Sequence, residues 1–229
     1  MEIFAGEVRT NEISEKSKGG SELVARRMAA DLDKTLLKEF QIIVSRVRNT
    51  LDPTKIRVLL LQDLPEDPES HHLRNDGWRK FHRIVFVSHW QRERYVKEYG
   101  IPYSRTVVIH NAVHPIDNTG EMDKKKAKEK KINIIYHTTP HRGLEILVPV
   151  FEKLTETHKD IHLDVFSSFE IYGWKDRDNQ YAELFEKIKK NPNMTYHGFK
   201  DNETVRKALE RAHVFAYPSI WRETSCMAL

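Results

Sequence analysis

The sequence contains little cysteine, no long apolar run and no glycine-rich dinucleotide fingerprint. One cysteine, Cys226, occurs among 229 residues, which excludes an internal disulfide framework and a multi-cysteine zinc site. No apolar stretch approaches the roughly 18 residues that would span a bilayer, and the N-terminus lacks a basic segment followed by an apolar one. We therefore expect a soluble protein of the cytoplasm.

The positive charge is concentrated in one segment. The chain carries a formal charge of +4, while residues 124–131 hold six lysines and one glutamate, a local +5, so the remaining residues carry 4 − 5 = −1. Such a run between folded segments is typical of a solvated linker. We expect no nucleic-acid partner, and peripheral attraction to anionic lipid stays open.

Short β-branched or aliphatic runs alternate with amphipathic helical patterns. Helical spacing places Leu144, Val148 and Phe151 on one face, together with Leu147 and Leu154. A second helical face contains Tyr181, Leu184, Phe185 and Ile188. Strands separated by helices pair in parallel through right-handed crossovers, which predicts the α/β class. The predicted strands are residues 56–61, 84–87, 106–109, 132–136, 162–166, 194–199 and 213–217.

The same alternation occurs on both sides of an almost apolar-free stretch. We predict a first Rossmann-like domain over residues 1–116, a lysine-rich linker over 117–131, and a second Rossmann-like domain over 132–229. Ligands of such sheets bind beyond the carboxyl ends of the strands, so the loops there are the candidate sites.

Two of these loops lead into predicted helices. Gly20 precedes a helical stretch near Leu23, where free amides and the helix dipole favour an anionic phosphate; the alternative is a flexible loop ending in a serine cap. Arg142 follows the strand at 132–136, where a guanidinium can make forked bonds to a diphosphate, and Gly143 allows close approach. His137 and His141 resemble a metal pair, but the intervening proline argues against the helix that would align them.

A third loop follows the last predicted strand. Residues 217–222 lead to Glu223, and a helix is predicted to begin at Thr224, with its free amides available to a phosphate. Glu223 suits either a helix-dipole partner or a ligand of sugar hydroxyls.

Several segments, in this order, resemble the retaining glycosyltransferases of family 4, which have the two-domain GT-B architecture. They are GGSE at 19–22, DLPEDP at 63–68, the stretch from Val85 to Pro102, VVIHNAV at 107–113, HRGLEIL at 141–147, YHGF at 196–199 and YPSIWRETSCMAL at 217–229. The resemblance implies that Arg142 holds the donor diphosphate and that Glu223 contacts the donor sugar.

The chain departs from that family in three places. The second glutamate of the family motif would fall at position 231, and the sequence ends at 229, so we expect an incomplete second domain. Thr139 occupies a position that is commonly arginine. Related sequences often have histidine where Gln62 precedes Asp63, and these two residues are weak candidates for the acceptor side.

The predicted reaction is transfer of a sugar from a nucleoside-diphosphate sugar to an unknown carbohydrate or lipid-linked acceptor. Fixed donors stabilise a departing diphosphate, and we assign this role to Arg142, to Gly20 and to the amides of Thr224, Ser225 and Cys226. Gly198 and Phe199 are weaker candidates for the base pocket. The scheme requires no metal and no cofactor, and the resemblance implies retention.

Three other functions are alternatives to this one. A metal-dependent transferase would use Asp176 and Asp178, whose spacing suits manganese. A non-catalytic nucleotide- or carbohydrate-binding module fits the shortened motif. A dinucleotide-dependent oxidoreductase is set aside because no glycine fingerprint follows a predicted strand.

Overall fold

The computed structural model describes residues 18–47, 51–113 and 128–228, which divide into two compact units. The first unit contains the described residues up to Val113 together with 223–227. The second unit contains residues 128–222 together with Ala228. Residues 117–127 of the predicted linker lie outside the described residues. Residues 128–131 are an exposed turn before the next strand.

The first unit is a four-stranded parallel sheet with helices. Its strands pair in the order β1-β2-β3-β4, and three short 3₁₀ helices cover Pro68–Leu73, Gly77–Lys80 and Tyr103–Arg105. The helices and strands are α1 Gly20–Asp31, α2 Lys34–Leu37, β1 Phe40–Val44, β2 Ile56–Leu61, β3 Arg83–Phe86, α3 His89–Tyr99 and β4 Thr106–Val108.

Strand β1 is absent from the sequence prediction. A polar residue, Gln41, interrupts its apolar run, yet Gln41 is fully buried, and its Oε1 accepts a hydrogen bond from the Asp52 amide at 2.9 Å. This bond satisfies only the oxygen, because Nε2 is buried without a partner, and the backbone of Gln41 pairs with Arg57 of β2 in the sheet.

The core of the first unit lies on both faces of its sheet. Ile43, Leu59 and Phe86 belong to a cluster on one face. Val44 and Leu60 belong to the other cluster, which packs with Ala25 of α1. Successive residues of a strand point to opposite faces of the sheet, so each strand contributes side chains to both clusters, as expected for a parallel sheet that is covered on both faces.

The second unit is also a four-stranded parallel sheet, in the order β7-β6-β5-β8. Three 3₁₀ helices cover Pro140–Arg142, Phe169–Tyr172 and Lys175–Tyr181. The helices and strands are β5 Ile132–Tyr136, α4 Leu144–Thr157, β6 Ile161–Val165, α5 Ala182–Lys190, β7 Met194–Tyr196, α6 Asn202–Arg211 and β8 Val214–Phe215. The prediction of an α/β protein with parallel sheets is confirmed.

The predicted helical faces of the second unit are largely confirmed. Val148 and Phe151 of α4 and Ile188 of α5 are buried in one cluster with Leu163 of β6. Leu154 is an exception, because its side chain is 43% exposed near the end of α4. Two predicted strands are shorter than expected, and the one at 194–199 ends before Gly198, whose φ of 65° turns the chain.

The helix predicted to begin at Thr224 is wrong, because residues 223–228 form bends and a turn. A helix starting there needs the Thr224 carbonyl to accept from the amide four residues later. That carbonyl accepts instead from Ser88 Oγ at 2.6 Å, and Thr224 Oγ1 donates to the Gln62 carbonyl at 2.6 Å. These contacts hold the segment against the first unit in a non-helical conformation.

Candidate functional site

The order of strands in the second unit defines where a ligand can bind. The chain passes from β5 to β6 and β7 on one side, and then returns to β8 on the other side of β5. At such a switch point the loops after the two central strands diverge and leave a crevice at their carboxyl ends. In this unit β5 and β8 are the two strands at the switch point, so the loops that follow them are the candidate ligand-binding loops.

Arg142 and Tyr217 meet at this switch point. Arg142 ends the 3₁₀ helix that follows β5, and its Nη1 donates to the Tyr217 hydroxyl at 3.3 Å. Tyr217 comes two residues after β8 and stacks on Phe215 with 5.4 Å between ring centroids. Arg142, the residue predicted to bind the donor diphosphate, is therefore hydrogen-bonded to a tyrosine that the sequence pattern did not single out.

Gly143 is required by the packing of these two loops. Its φ is 102°, and a Cβ at this position would lie 2.0 Å from the Pro218 carbonyl oxygen. The sequence suggested that Gly143 lets a ligand approach closely. The group that does approach closely is the backbone of the loop after β8, so this glycine brings that loop beside Arg142.

His141 is enclosed by aromatic rings. It stacks on Phe169 at 5.2 Å and meets the edge of Trp221 at 4.9 Å. Burial lowers the pKa of His141 to about 4, with further lowering by the positive charges of Arg142 and Arg177. The ring is therefore neutral at pH 7.

Hydroxyls near the carboxyl ends of β5 and β6 are buried without a hydrogen-bond partner, and those of Thr139 and Ser167 belong to residues that are themselves buried. Thr139 is 4% exposed and Ser167 is 1% exposed, and both side-chain oxygens lack partners. Buried polar groups are usually paired, because leaving one unpaired costs about 1 to 3 kcal/mol. Both hydroxyls lie beside the switch point, where a polar ligand could satisfy them.

The predicted base-pocket residues follow β7, at the edge of the sheet. Gly198 has a φ of 65°, and Phe199 is partly buried. The neighbouring His197 Nε2 lies 2.7 Å from Asp164 Oδ1, and its ring stacks on Phe166 at 4.2 Å. Because β6 separates β7 from β5, this loop lies one strand further from Arg142 than Ser167 does.

Asp178, proposed for a metal-dependent reaction, has a structural role. Its two carboxylate oxygens accept from Ser168 Oγ at 2.5 Å and from the Phe169 amide at 2.8 Å. Over residues 18–47, 51–113 and 128–228, no group of three side chains is arranged to hold a metal ion.

The acceptor-side candidates lie after β2 in the first unit. Gln62 and Asn111 exchange two side-chain hydrogen bonds of 3.1 Å. The Asp63 carbonyl accepts from Gln91 Nε2 at 2.9 Å, and burial raises the pKa of the Asp63 carboxyl, a change opposed by the charge of Arg46. A buried carboxyl with a raised pKa at a strand end is a candidate site residue.

Ser45, beside this carboxyl, is a residue that sequence reasoning missed. Its φ of 59° is uncommon for a residue other than glycine, and its Oγ accepts from the Gln62 amide at 3.1 Å. Strained backbone of this kind concentrates at functional sites. Nothing in a single serine codes for this conformation, so the sequence offers no signal for it.

The remaining predicted donor residues belong to the first unit. Gly20 is exposed at the first position of α1, whose N-cap is Gly19. The alternative of a serine cap is therefore wrong, since the helix begins before Ser21. A Cβ on Gly20 would lie 3.4 Å from Met227 Sδ. The segment 223–227, which contains the other predicted donor residues, therefore lies near the start of α1. Those residues are Glu223, Thr224, Ser225 and Cys226.

Residues 118–229 match the family model described as glycosyl transferases group 1. The second half of this chain is similar to group 1 glycosyl transferases. No curated protein is similar to the chain in sequence.

Solved glycosyltransferases have a similar fold. A glycosyltransferase from Rickettsia africae ESF-5 is 16% identical, with 92% of this chain and 59% of that chain covered and a TM-score of 0.57. The Anabaena protein HepE, solved with UDP and glucose, is 13% identical, with 93% and 61% covered and a TM-score of 0.53. Sucrose-phosphate synthase from Thermosynechococcus elongatus is 12% identical, with 83% and 52% covered and a TM-score of 0.55.

These similarities confirm the fold expected from the sequence, two parallel α/β units like those of GT-B glycosyltransferases. The chain spans 59% of the length of the Rickettsia protein. Among the described residues, no helix has the length and apolar character of a membrane-spanning segment.

Proposed function

We propose that this chain is a glycosyltransferase that moves a sugar from a nucleoside-diphosphate sugar to an acceptor hydroxyl. One observation carries the proposal: Arg142, held by Tyr217, lies at the switch point of a parallel sheet within the region that matches group 1 glycosyl transferases. In this proposal Arg142 of the second unit binds the donor diphosphate, and Gln62 and Asp63 of the first unit bind the acceptor.

Arg142 stabilises the leaving group. As the bond between sugar and diphosphate breaks, negative charge develops on the phosphate oxygens, and a pre-oriented guanidinium lowers the energy of that state. A charged hydrogen bond contributes about 1.5 to 3 kcal/mol. The unpaired hydroxyls of Thr139 and Ser167 are further donors for phosphate or ribose oxygens in this scheme.

The other assignments follow from the same reaction. Glu223 binds the donor sugar, the amides of Thr224, Ser225 and Cys226 and the start of α1 at Gly20 bind phosphate, and Gly198 with Phe199 flanks the base. Asp63 and Gln62 bind the acceptor. Transfer proceeds with retention and without a metal, since a guanidinium supplies the charge that a divalent cation would otherwise supply. UDP-glucose is the first donor to test because HepE was solved with UDP and glucose.

The test is a binding and transfer assay with Arg142→Ala. Calorimetry with UDP should show tight binding to the wild type and a loss of about ten- to hundredfold in Arg142→Ala. Lys153→Ala, an exposed cation on α4, is the matched control and should bind as the wild type does. Equal UDP affinity in Arg142→Ala and wild type would refute the diphosphate role.

Transfer from a panel of radiolabelled nucleotide sugars distinguishes the remaining alternatives. Product formation that persists in EDTA supports the metal-independent reaction, whereas loss of product in EDTA with rescue by Mn²⁺ supports the metal-dependent one. Tight donor binding without transfer to any carbohydrate or lipid-linked acceptor supports the non-catalytic module.

A further inference from the structure

We infer that Arg177 is a second diphosphate-binding residue, which the structure connects to the Arg142 loop through Phe169 and His141. This inference rests on the proposed function and goes beyond it, because it assigns a cation from the segment after β6 to the site at the switch point. It also predicts that the site prefers a dianionic diphosphate over a nucleoside.

Ring stacking and hydrogen bonds connect the two loops. His141, adjacent to Arg142, stacks on Phe169 at 5.2 Å with an interplanar angle of 15°. The amide of Phe169 donates to Asp178 Oδ1 at 2.8 Å, and Asp178 is adjacent to Arg177. His141, Phe169 and Asp178 are therefore linked by successive contacts. Arg142 is the sequence neighbour of His141 at one end, and Arg177 is the sequence neighbour of Asp178 at the other.

The guanidinium of Arg177 is oriented by an aromatic ring. Its Cζ lies 4.3 Å from the centroid of the Trp174 ring, and its backbone amide donates to the Trp174 carbonyl at 3.0 Å. A cation–π contact uses none of the five N–H groups as a hydrogen-bond donor, so they stay available for forked bonds to phosphate. Within the described part of the chain, no carboxylate lies within ion-pair distance of Arg177.

Both guanidinium groups act on the same imidazole. Arg142 and Arg177 each disfavour a charge on His141, and burial adds to their effect. Two cations beside a neutral ring repel each other, and a bound group with two negative charges removes that repulsion. A pyrophosphate has this charge, whereas the sugar and the base do not.

The experiment compares Arg177→Gln with Lys175→Gln. Lys175 belongs to the same 3₁₀ helix, is 75% exposed and pairs with Glu170 at 3.7 Å, so it controls for a loss of charge in this segment. Calorimetry with UDP, UMP and uridine at two salt concentrations measures the effect. We expect Arg177→Gln to weaken UDP binding about tenfold, to weaken UMP binding less, and to leave uridine binding unchanged, while Lys175→Gln stays within about twofold of wild type throughout.

A second measurement reports the position of Arg177 without any ligand. Titration of the His141 ring by NMR should show a higher pKa in Arg177→Gln than in wild type, and no such rise in Lys175→Gln. Equal UDP affinity in wild type and Arg177→Gln would overturn the inference and leave the proposed function standing. Wild type that binds no nucleoside diphosphate would overturn the proposed function itself.

Discussion

Arg142 Nη1 donates to the hydroxyl oxygen of Tyr217 across 3.3 Å, which joins the loop after β5 to the loop after β8. A phenol that accepts from one N–H of a guanidinium limits the rotation of that guanidinium. The contact therefore provides a cation whose direction is set before any donor binds, as electrostatic stabilisation of a leaving group requires.

Replacing Tyr217 by phenylalanine should have a small effect on donor binding. The ring and its stacking on Phe215 remain, and the lost hydrogen bond lies within the protein and affects UDP only through the orientation of Arg142, so we expect about a threefold loss of UDP affinity. Calorimetry checks this, with Tyr172→Phe as a control of the same type in the same unit. An unchanged affinity would indicate that Arg142 does not need Tyr217 to be oriented.

Replacing Gly143 by alanine should destabilise the second unit strongly. The new Cβ would lie 2.0 Å from the Pro218 carbonyl oxygen at a φ of 102°. Gly198 is a matched control, because its φ is also positive but its nearest neighbour, the Tyr196 ring, is at an ordinary 3.8 Å.

Gly198→Ala should then cost about 1 kcal/mol of backbone strain and lower the unfolding midpoint by about 4 to 8 °C. Gly143→Ala should cost about 3 kcal/mol or more. Scanning calorimetry measures both. Similar midpoints for the two variants would mean that the loop after β8 moves away at little cost.

Much of the fold follows from the sequence, because apolar periodicity reports directly on burial. The strands at Ile56–Leu61 and Ile132–Tyr136 match the predicted bounds. Strand β1 does not follow from periodicity, since a buried polar residue, Gln41, interrupts its apolar run and its Oε1 accepts from Asp52, outside the strand. The helix predicted at Thr224 fails for a similar reason, because the segment bonds to distant residues: Ser88 Oγ donates to the Thr224 carbonyl and Thr224 Oγ1 donates to the Gln62 carbonyl.

The candidate site follows from the sequence only in part. Arg142 is recognisable because it stands at a strand-to-helix junction beside a glycine. Tyr217 and Arg177 are not, since their relation to Arg142 depends on which strands neighbour β5 and on a ring stack between Phe169 and His141. Such relations arise from tertiary packing and leave no spacing signal in the chain.

The stability of the second unit should depend on pH through His141. Its pKa is about 4 in the folded protein, against an ordinary value of 6.5, so the unfolded chain binds more protons between these values. Stability is then complete above about pH 6.5 and falls as the pH decreases toward 4. Arg142 and Arg177 are the charged groups that lower this pKa.

His141→Phe keeps a ring against Phe169 but cannot titrate. Urea unfolding at pH 7 and pH 4.5 should show a smaller loss of stability in this variant than in wild type. An equal loss in both proteins would mean that His141 already titrates near its ordinary pKa in the folded state, and NMR titration of the ring would show the same directly.

Glu223 should affect sugar transfer more than diphosphate binding. In the proposed function its carboxylate accepts hydrogen bonds from the donor sugar, and an amide accepts such bonds more weakly, so Glu223→Gln should lower kcat for transfer by about ten- to hundredfold. UDP lacks the sugar, and its affinity should change by less than about twofold. Glu186→Gln is the control, because Glu186 lies exposed on α5, pairs with Lys189 at 2.7 Å and is not a predicted site residue. A parallel loss of UDP affinity and transfer in Glu223→Gln, with the unfolding midpoint unchanged, would place this carboxylate at the diphosphate and contradict its role as a ligand of the sugar.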